Sequence, residues 1–219
     1  MIPNPLNLAD GAQTLQAMGF EITIERRKVG DLELSTGRLV ACDPLYMPET
    51  DFFDQALPRG SFPVYLVLAT MREELGVAYA VLELDETRAT RWEIAHVAGE
   101  DPSHWRDPDR SGFHVGSSVA ALMDVAAADV LLDVVQYAED EDDFPRTLRR
   151  ELRRNRRNST AVGYTDFLLD TRTDHNMVAF EVDDGIYTTY FGFDADGRVV
   201  SAVVDFELLD YTFTPFGLR

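Results

Sequence analysis

The residues that could do chemistry in this sequence are few and scattered. Asp43 lies between Cys42 and Pro44. A carboxylate at a strand end can bind a cation or act as a general base if partners converge on it. It can also cap the turn that the proline rigidifies, and that is the expected use. Cys42 invites a nucleophile reading, with four histidines in the chain to activate it. Strand alternation, however, puts Cys42 and Asp43 on opposite faces, and a lone cysteine in an apolar run packs as core. Asp124 is the second acid that could join Asp43. The polar stretch from His96 to His114 adds Asp101, His104, Asp107 and Asp109. Imidazoles and carboxylates of this kind chelate zinc or manganese, with His104 and His114 as the candidate ligands. The histidines there lack the i, i+4 spacing of a compact helical site, so surface roles are the simpler expectation.

The other constellations sit further along. Asp194 and Asp196 match the first two ligand positions of a calcium loop, and Asp205 falls at the twelfth. The glycine such a loop requires would have to be Val199, and the flanks read as strands, so the match fails. Arg146, Arg149, Arg150, Arg153, Arg154, Arg156 and Arg157 form a basic run preceded by the acidic run Glu139 to Asp143. No aromatic residue is interleaved from Arg146 to Arg157 to stack on bases. Acids before and arginines toward the end of a helix suit its dipole, so a solvated, dipolar helix is expected. Tyr187 and Tyr190, beside Asp183 and Asp184, are candidate contact residues if either tyrosine is left on an exposed strand face.

Several elements must position these residues. Leu8 to Met18 reads as a short helix. Phe20 to Glu25, Leu32 to Leu34, Arg38 to Cys42, Pro63 to Thr70, Val77 to Leu84 and Thr90 to His96 read as strands, with a turn at Gly30-Asp31. A turn of helix is expected around Phe52 to Ala56. Ser117 or Ser118 would cap a helix reaching Tyr137, and Phe144 to Asn155 continues helical. Tyr164 to Leu169 is one more strand. From Asn176 to Leu209, the signals Asp183-Asp184-Gly185 and Asp194-Ala195-Asp196-Gly197 divide three apolar runs, which predicts an antiparallel meander. The expected fold is α+β, mainly antiparallel sheet, sandwich-like or strongly curved, with a helical insertion at about 117–157 in one domain spanning residues 1–219.

Charge narrows the partners. Thirty-nine acidic against 20 basic residues leave a net charge of −19 over 219 residues. That field disfavours nucleic acid and anionic lipid and suits a basic protein partner. The single cysteine excludes an intrachain disulfide. The N-terminal residues lack a secretory pattern, and the most apolar window, Val119 to Val135, carries Asp124, Asp129 and Asp133, which argues against a membrane span. A cytoplasmic protein with no cofactor is expected, its oligomeric state open.

Thr36-Gly37-Arg38-Leu39-Val40-Ala41-Cys42-Asp43-Pro44-Leu45 resembles the N-terminal signature of a bacterial family known as domain of unknown function 4241. Gly60 to Val64, Val77 to Ala80, Arg91-Trp92-Glu93, Leu122-Met123-Asp124, Asn176 to Asp194, Asp196 to Val200 and Asp205-Phe206 fit the same pattern in the same order. Two places depart from it. Gly116 to Ala121 stands where the family pattern runs Asp-Ala-Gly-Thr-Gly-Cys, and the loop at Glu181-Val182-Asp183 is shortened. The resemblance implies fold and kinship and carries no activity; an immunity or toxin-neutralising role is conceivable by analogy. Two functions remain on the residues alone: a non-enzymatic binding protein, or a metal-assisted hydrolase using Asp43, Asp124 and loop histidines. Convergence of those groups in one cleft is what separates them.

Overall fold

The computed structural model describes residues 11–17, 20–46, 51–71, 74–101, 112–159 and 162–209. Among the described residues twelve strands and two helices follow in the order β1 (Gly11–Ala17), β2 (Phe20–Leu34), β3 (Leu39–Cys42), β4 (Gly60–Met71), β5 (Glu74–Glu83), β6 (Arg91–Ile94), β7 (Phe113–Val115), β8 (Val119–Asp124), α1 (Val125–Gln136), α2 (Asp143–Ser159), β9 (Tyr164–Asp170), β10 (His175–Glu181), β11 (Gly185–Phe193) and β12 (Val199–Asp205). The larger sheet runs β1-β2-β4-β5-β12-β11-β6, with β7 also pairing to β11; the smaller runs β3-β8-β10-β9. Every described ladder is antiparallel. The expected α+β, sandwich-like architecture is what the chain adopts.

Alternation explains the layering. On the smaller sheet, Leu39, Ala41, Ala120, Leu122, Val178 and Phe180 face the larger sheet and close the main core with Leu34, Leu66, Leu82 and Phe191. The odd-face partners Val40, Cys42, Ala121, Met123 and Met177 point the other way, against Ala127, Ala128 and Leu131 of α1 and Phe144, Leu148 and Leu152 of α2. Cys42 is thus core, on the helix-covered face. The smaller sheet is apolar on both sides, so all six residues of β8 are buried.

Several sequence expectations are corrected. The part of the Leu8 to Met18 helix that is described, Gly11–Ala17, is a strand, because it hydrogen-bonds along β2 from Gly11↔Arg26 to Ala17↔Phe20. Helix-favouring residues give way to an open sheet edge. Gly30-Asp31 does not turn the chain; β2 continues through it with a bulge between Lys28 and Gly30, where β9 presses on the strand: a Cβ on Gly30 would lie 3.0 Å from that of Asp166. No helical turn forms at Phe52 to Ala56, since Phe53 instead bridges Val97. Residues 119–124 of the helical insertion are a central strand, and the first helix starts at Val125 rather than after Ser117.

The meander is also corrected. β10 lies in the smaller sheet, between β8 and β9, while β11 and β12 pair in the larger one. Asp183-Asp184-Gly185 is therefore a crossover between sheets, and only Asp194 to Gly197 makes a hairpin. There the Asp194 carboxylate accepts from the Asp196 and Arg198 amides at 2.9 and 2.8 Å, so these are turn residues.

Candidate functional site

Asp43 and Asp124 occupy opposite ends of one short ladder. β3 and β8 pair from Leu39↔Asp124 to Cys42↔Ala121, so β8 ends in Asp124 and β3 runs into Asp43, each beside the loop that starts the other strand. Asp43 is 1% exposed. Its Oδ1 accepts from the Leu45 and Tyr46 amides at 2.9 and 3.0 Å and from Ser117 Oγ at 2.6 Å. Its Oδ2 accepts from the Gly116 and Ser117 amides at 2.9 and 2.7 Å. Asp124 is fully buried. It caps α1 through the Ala126 amide (3.0 Å) and accepts from the Thr36 and Gly37 amides (3.0 and 3.2 Å) and from Thr36 Oγ1 (2.9 Å). Gly37 is required there: its φ is +76°, and a Cβ would meet the Leu57 carbonyl oxygen at 2.4 Å.

These carboxylates are saturated by donors and have little lone-pair capacity left. Strand rise puts them about 13 Å apart across four residues. His114 lies on β7, exposed, with its ring centroid 5.5 Å from that of Tyr46. His104 lies outside the described residues. Among the described residues no group of three or more metal-ligating side chains converges. Of the residues named for a metal-assisted hydrolase, the described Asp43 and Asp124 are not brought together.

The loops at Ser118 and at Val182 to Asp184 meet. The Ser118 amide and hydroxyl donate to Asp184 Oδ1 at 2.8 and 2.9 Å, and the Val182 amide donates to the Ser118 carbonyl at 3.2 Å. Ser118 itself sits at φ 60°, a conformation that costs a non-glycine residue roughly 1 kcal/mol or more. Asp184 supplies the bonds that hold it. Asp183 is exposed, and its carbonyl accepts from Tyr187 Oη at 2.8 Å. Tyr187 and Tyr190 are buried, 6% and 7% exposed. Tyr187 packs on Phe206 with centroids 4.8 Å apart, and burial, followed by the Asp183 charge, pushes its hydroxyl up to about 12. Neither tyrosine offers the exposed contact face that the sequence left open. A cavity of about 180 Å³ lies nearby, lined by Val77, Arg156, Glu181, Asp183, Tyr187 and Phe206 among others; Arg156 there is held 3.5 Å from Glu181.

The surface that is open lies at the other end of the helices. The buried positions of α1 are Ala127, Ala128 and Leu131. The same stripe continues at Val134 and Val135, which are 39% and 37% exposed, and Tyr137 beyond them is 74% exposed. The stripe outruns the sheet it packs on. Across from it, Leu168 of β9 is 47% exposed. Between them runs a groove of about 640 Å³, lined by Val134, Ala138, Phe144, Thr147 and Phe167 to Leu169, with Glu139, Asp140 and Asp143 on its rim. Asp129, Asp133, Glu141 and Asp142 are further exposed acids on α1 and in the connection to α2. Asp140 pairs with Arg146 at 2.5 Å, which holds its carboxyl below the ordinary value. Four of the other helix arginines have partners on the molecule while staying largely exposed: Arg149 with the Ser117 carbonyl, Arg150 and Arg154 with Glu151, Arg156 with Glu181. Sequence reasoning missed this groove because a continuing apolar stripe reads as core; the signal was a stripe one turn longer than its cover.

No described helix is long and apolar enough to cross a membrane. A family described as "Protein of unknown function (DUF4241)" matches residues 32–204, from within β2 to the end of β12 and including the groove. No curated protein and no solved structure matches the chain.

Proposed function

We propose, from the premise that this chain belongs to the DUF4241 family, that it is a binding protein which docks a basic, partly apolar segment of another protein in the α1–α2–β9 groove. The observation that carries this reading is the coincidence of exposed Val134 and Leu168 with an acidic rim at one concave place. An apolar floor supplies affinity through burial, and an acidic rim supplies orientation and association rate. The field of the whole chain, at −19, acts in the same direction. An immunity-like role, in which the docked protein is a toxin held inactive, is one form of this reading, and a cytoplasmic setting would suit it. The hydrolase alternative gains nothing from the geometry, because its acids are apart and saturated.

Calorimetric titration with a short peptide of arginine and leucine tests the reading. We expect affinity on the order of 10 µM at low salt, weakening several-fold at physiological ionic strength and lost in a Val134→Glu, Leu168→Glu double variant. Unchanged binding by that variant overturns it.

A further inference from the structure

Resting on that reading, we propose that the docked segment is extended and adds to β9 as a fifth strand of the smaller sheet. β9 ends the order β3-β8-β10-β9, and among the described residues no strand pairs with its outer side. The groove is lined by Phe167, Leu168 and Leu169 in succession. Consecutive strand residues point to opposite faces: Phe167 and Leu169 pack toward the helices, with the Phe167 and Phe144 rings 6.0 Å apart, and Leu168 points away. A groove that touches all three runs along the edge of the strand, not over either face.

The hydrogen bonds show which amides that edge presents. The Gly163 carbonyl accepts from the Glu181 amide at 2.8 Å, so Gly163, Thr165 and Phe167 turn their backbone toward β10. Period two then turns Tyr164, Asp166 and Leu168 outward. The Tyr164 carbonyl is already taken by Asn155 Nδ2 at 2.7 Å, which closes that end. Near the other end a bulge falls where the register shifts from Asn176↔Leu168 to His175↔Asp170. The open edge is the outward backbone of Asp166 and Leu168, of which Leu168 lines the groove beside the acidic rim. An added strand places alternate side chains toward Val134 and Phe144, and bases among the others meet Glu139 and Asp143. Charge chooses this occupant over a second copy of the chain, since two copies would bring two acidic rims together.

The probe is a short peptide alternating arginine and valine, titrated against the full chain. Leu168→Val trims the side chain and keeps the outward amide; Leu168→Pro also removes the amide, at a position where proline leaves the β9–β10 ladder intact. We expect Leu168→Pro to bind about fivefold more weakly than Leu168→Val, and a peptide N-methylated on alternate residues to lose about tenfold on the unsubstituted protein in one of its two methylation registers only. The peptide arm stands even if Leu168→Pro does not fold. Equal binding in both registers, or by a helical arginine-leucine peptide alone, overturns strand addition and leaves the groove reading in place. Failure of both peptides overturns both. A dimer in sedimentation that Leu168→Pro dissociates assigns the edge to a second copy and overturns the proposal.

Discussion

The β3–β8 ladder and the α1–α2–β9 corner both gather carboxylates, and they use them in opposite ways. At the ladder, Asp43 and Asp124 are buried and each is surrounded by backbone and hydroxyl donors. At the corner, Glu139 to Asp143 are exposed beside apolar side chains that nothing described covers. A saturated carboxylate holds loops in place. Of the exposed ones, Asp140 and Asp143 face Arg146 at 2.5 and 4.0 Å, and Glu139 stands on the rim beside uncovered apolar surface. On the proposed reading, the contrast gives a structural role to the residues that looked most catalytic and the binding role to residues that looked like solvated helix.

Asp124→Ala should break the contrast most visibly. It strands the Thr36, Gly37 and Ala126 amides, which we expect to cost about 3 kcal/mol or more and to lower Tm by roughly 6–12 °C in a chain of this size. A shift under a degree in a thermal melt would mean that the ladder carboxylate is dispensable.

Asp205 sharpens it from the other side, as a buried carboxylate with a single described donor, the Glu207 amide at 2.9 Å. Burial pushes its carboxyl from 3.8 up to about 6. The folded state therefore binds its proton more tightly than the unfolded chain. Its contribution to stability is full below pH 3.8, falls as pH rises through that window to about 6, and is a constant penalty of roughly 2–3 kcal/mol above it. Asp205→Asn should raise Tm at pH 7.5 and leave it nearly unchanged at pH 3.5; thermal melts at both values check this.

Asp184→Ala removes two bonds from the strained Ser118 at an exposed place, and we expect about 1 kcal/mol from chemical denaturation. Leu168→Glu should move stability by only about 0.5 kcal/mol while it abolishes peptide binding. A large loss of stability there would reassign Leu168 to the core and remove the contrast.

The sequence made part of this legible for local reasons. Asp43 before Pro44 announces a turn cap because both partners of Oδ1 on its own loop lie within three residues. The role of Asp124 was hidden because its donors at Thr36 and Gly37 lie 88 and 87 residues away and become neighbours only when β3 pairs with β8. Asp183-Asp184-Gly185 has the composition of a hairpin turn, and composition does not say which sheet the next strand joins. β1 reads as helix by propensity and is a strand by pairing. Val134 and Val135 continue the stripe of Leu131, so only the length of the covering sheet distinguishes them from core.

The central claim is that the corner, and not the ladder, is the binding surface. Backbone amide NMR spectra recorded as the arginine-valine peptide is added test it most directly. The account predicts saturable shifts at Val134 to Thr147 and Asp166 to Leu169, with Asp43, Gly116 to Ser118 and Asp124 unmoved. Shifts centred on Asp43, Ser117 and Asp124, with the corner silent, would contradict it.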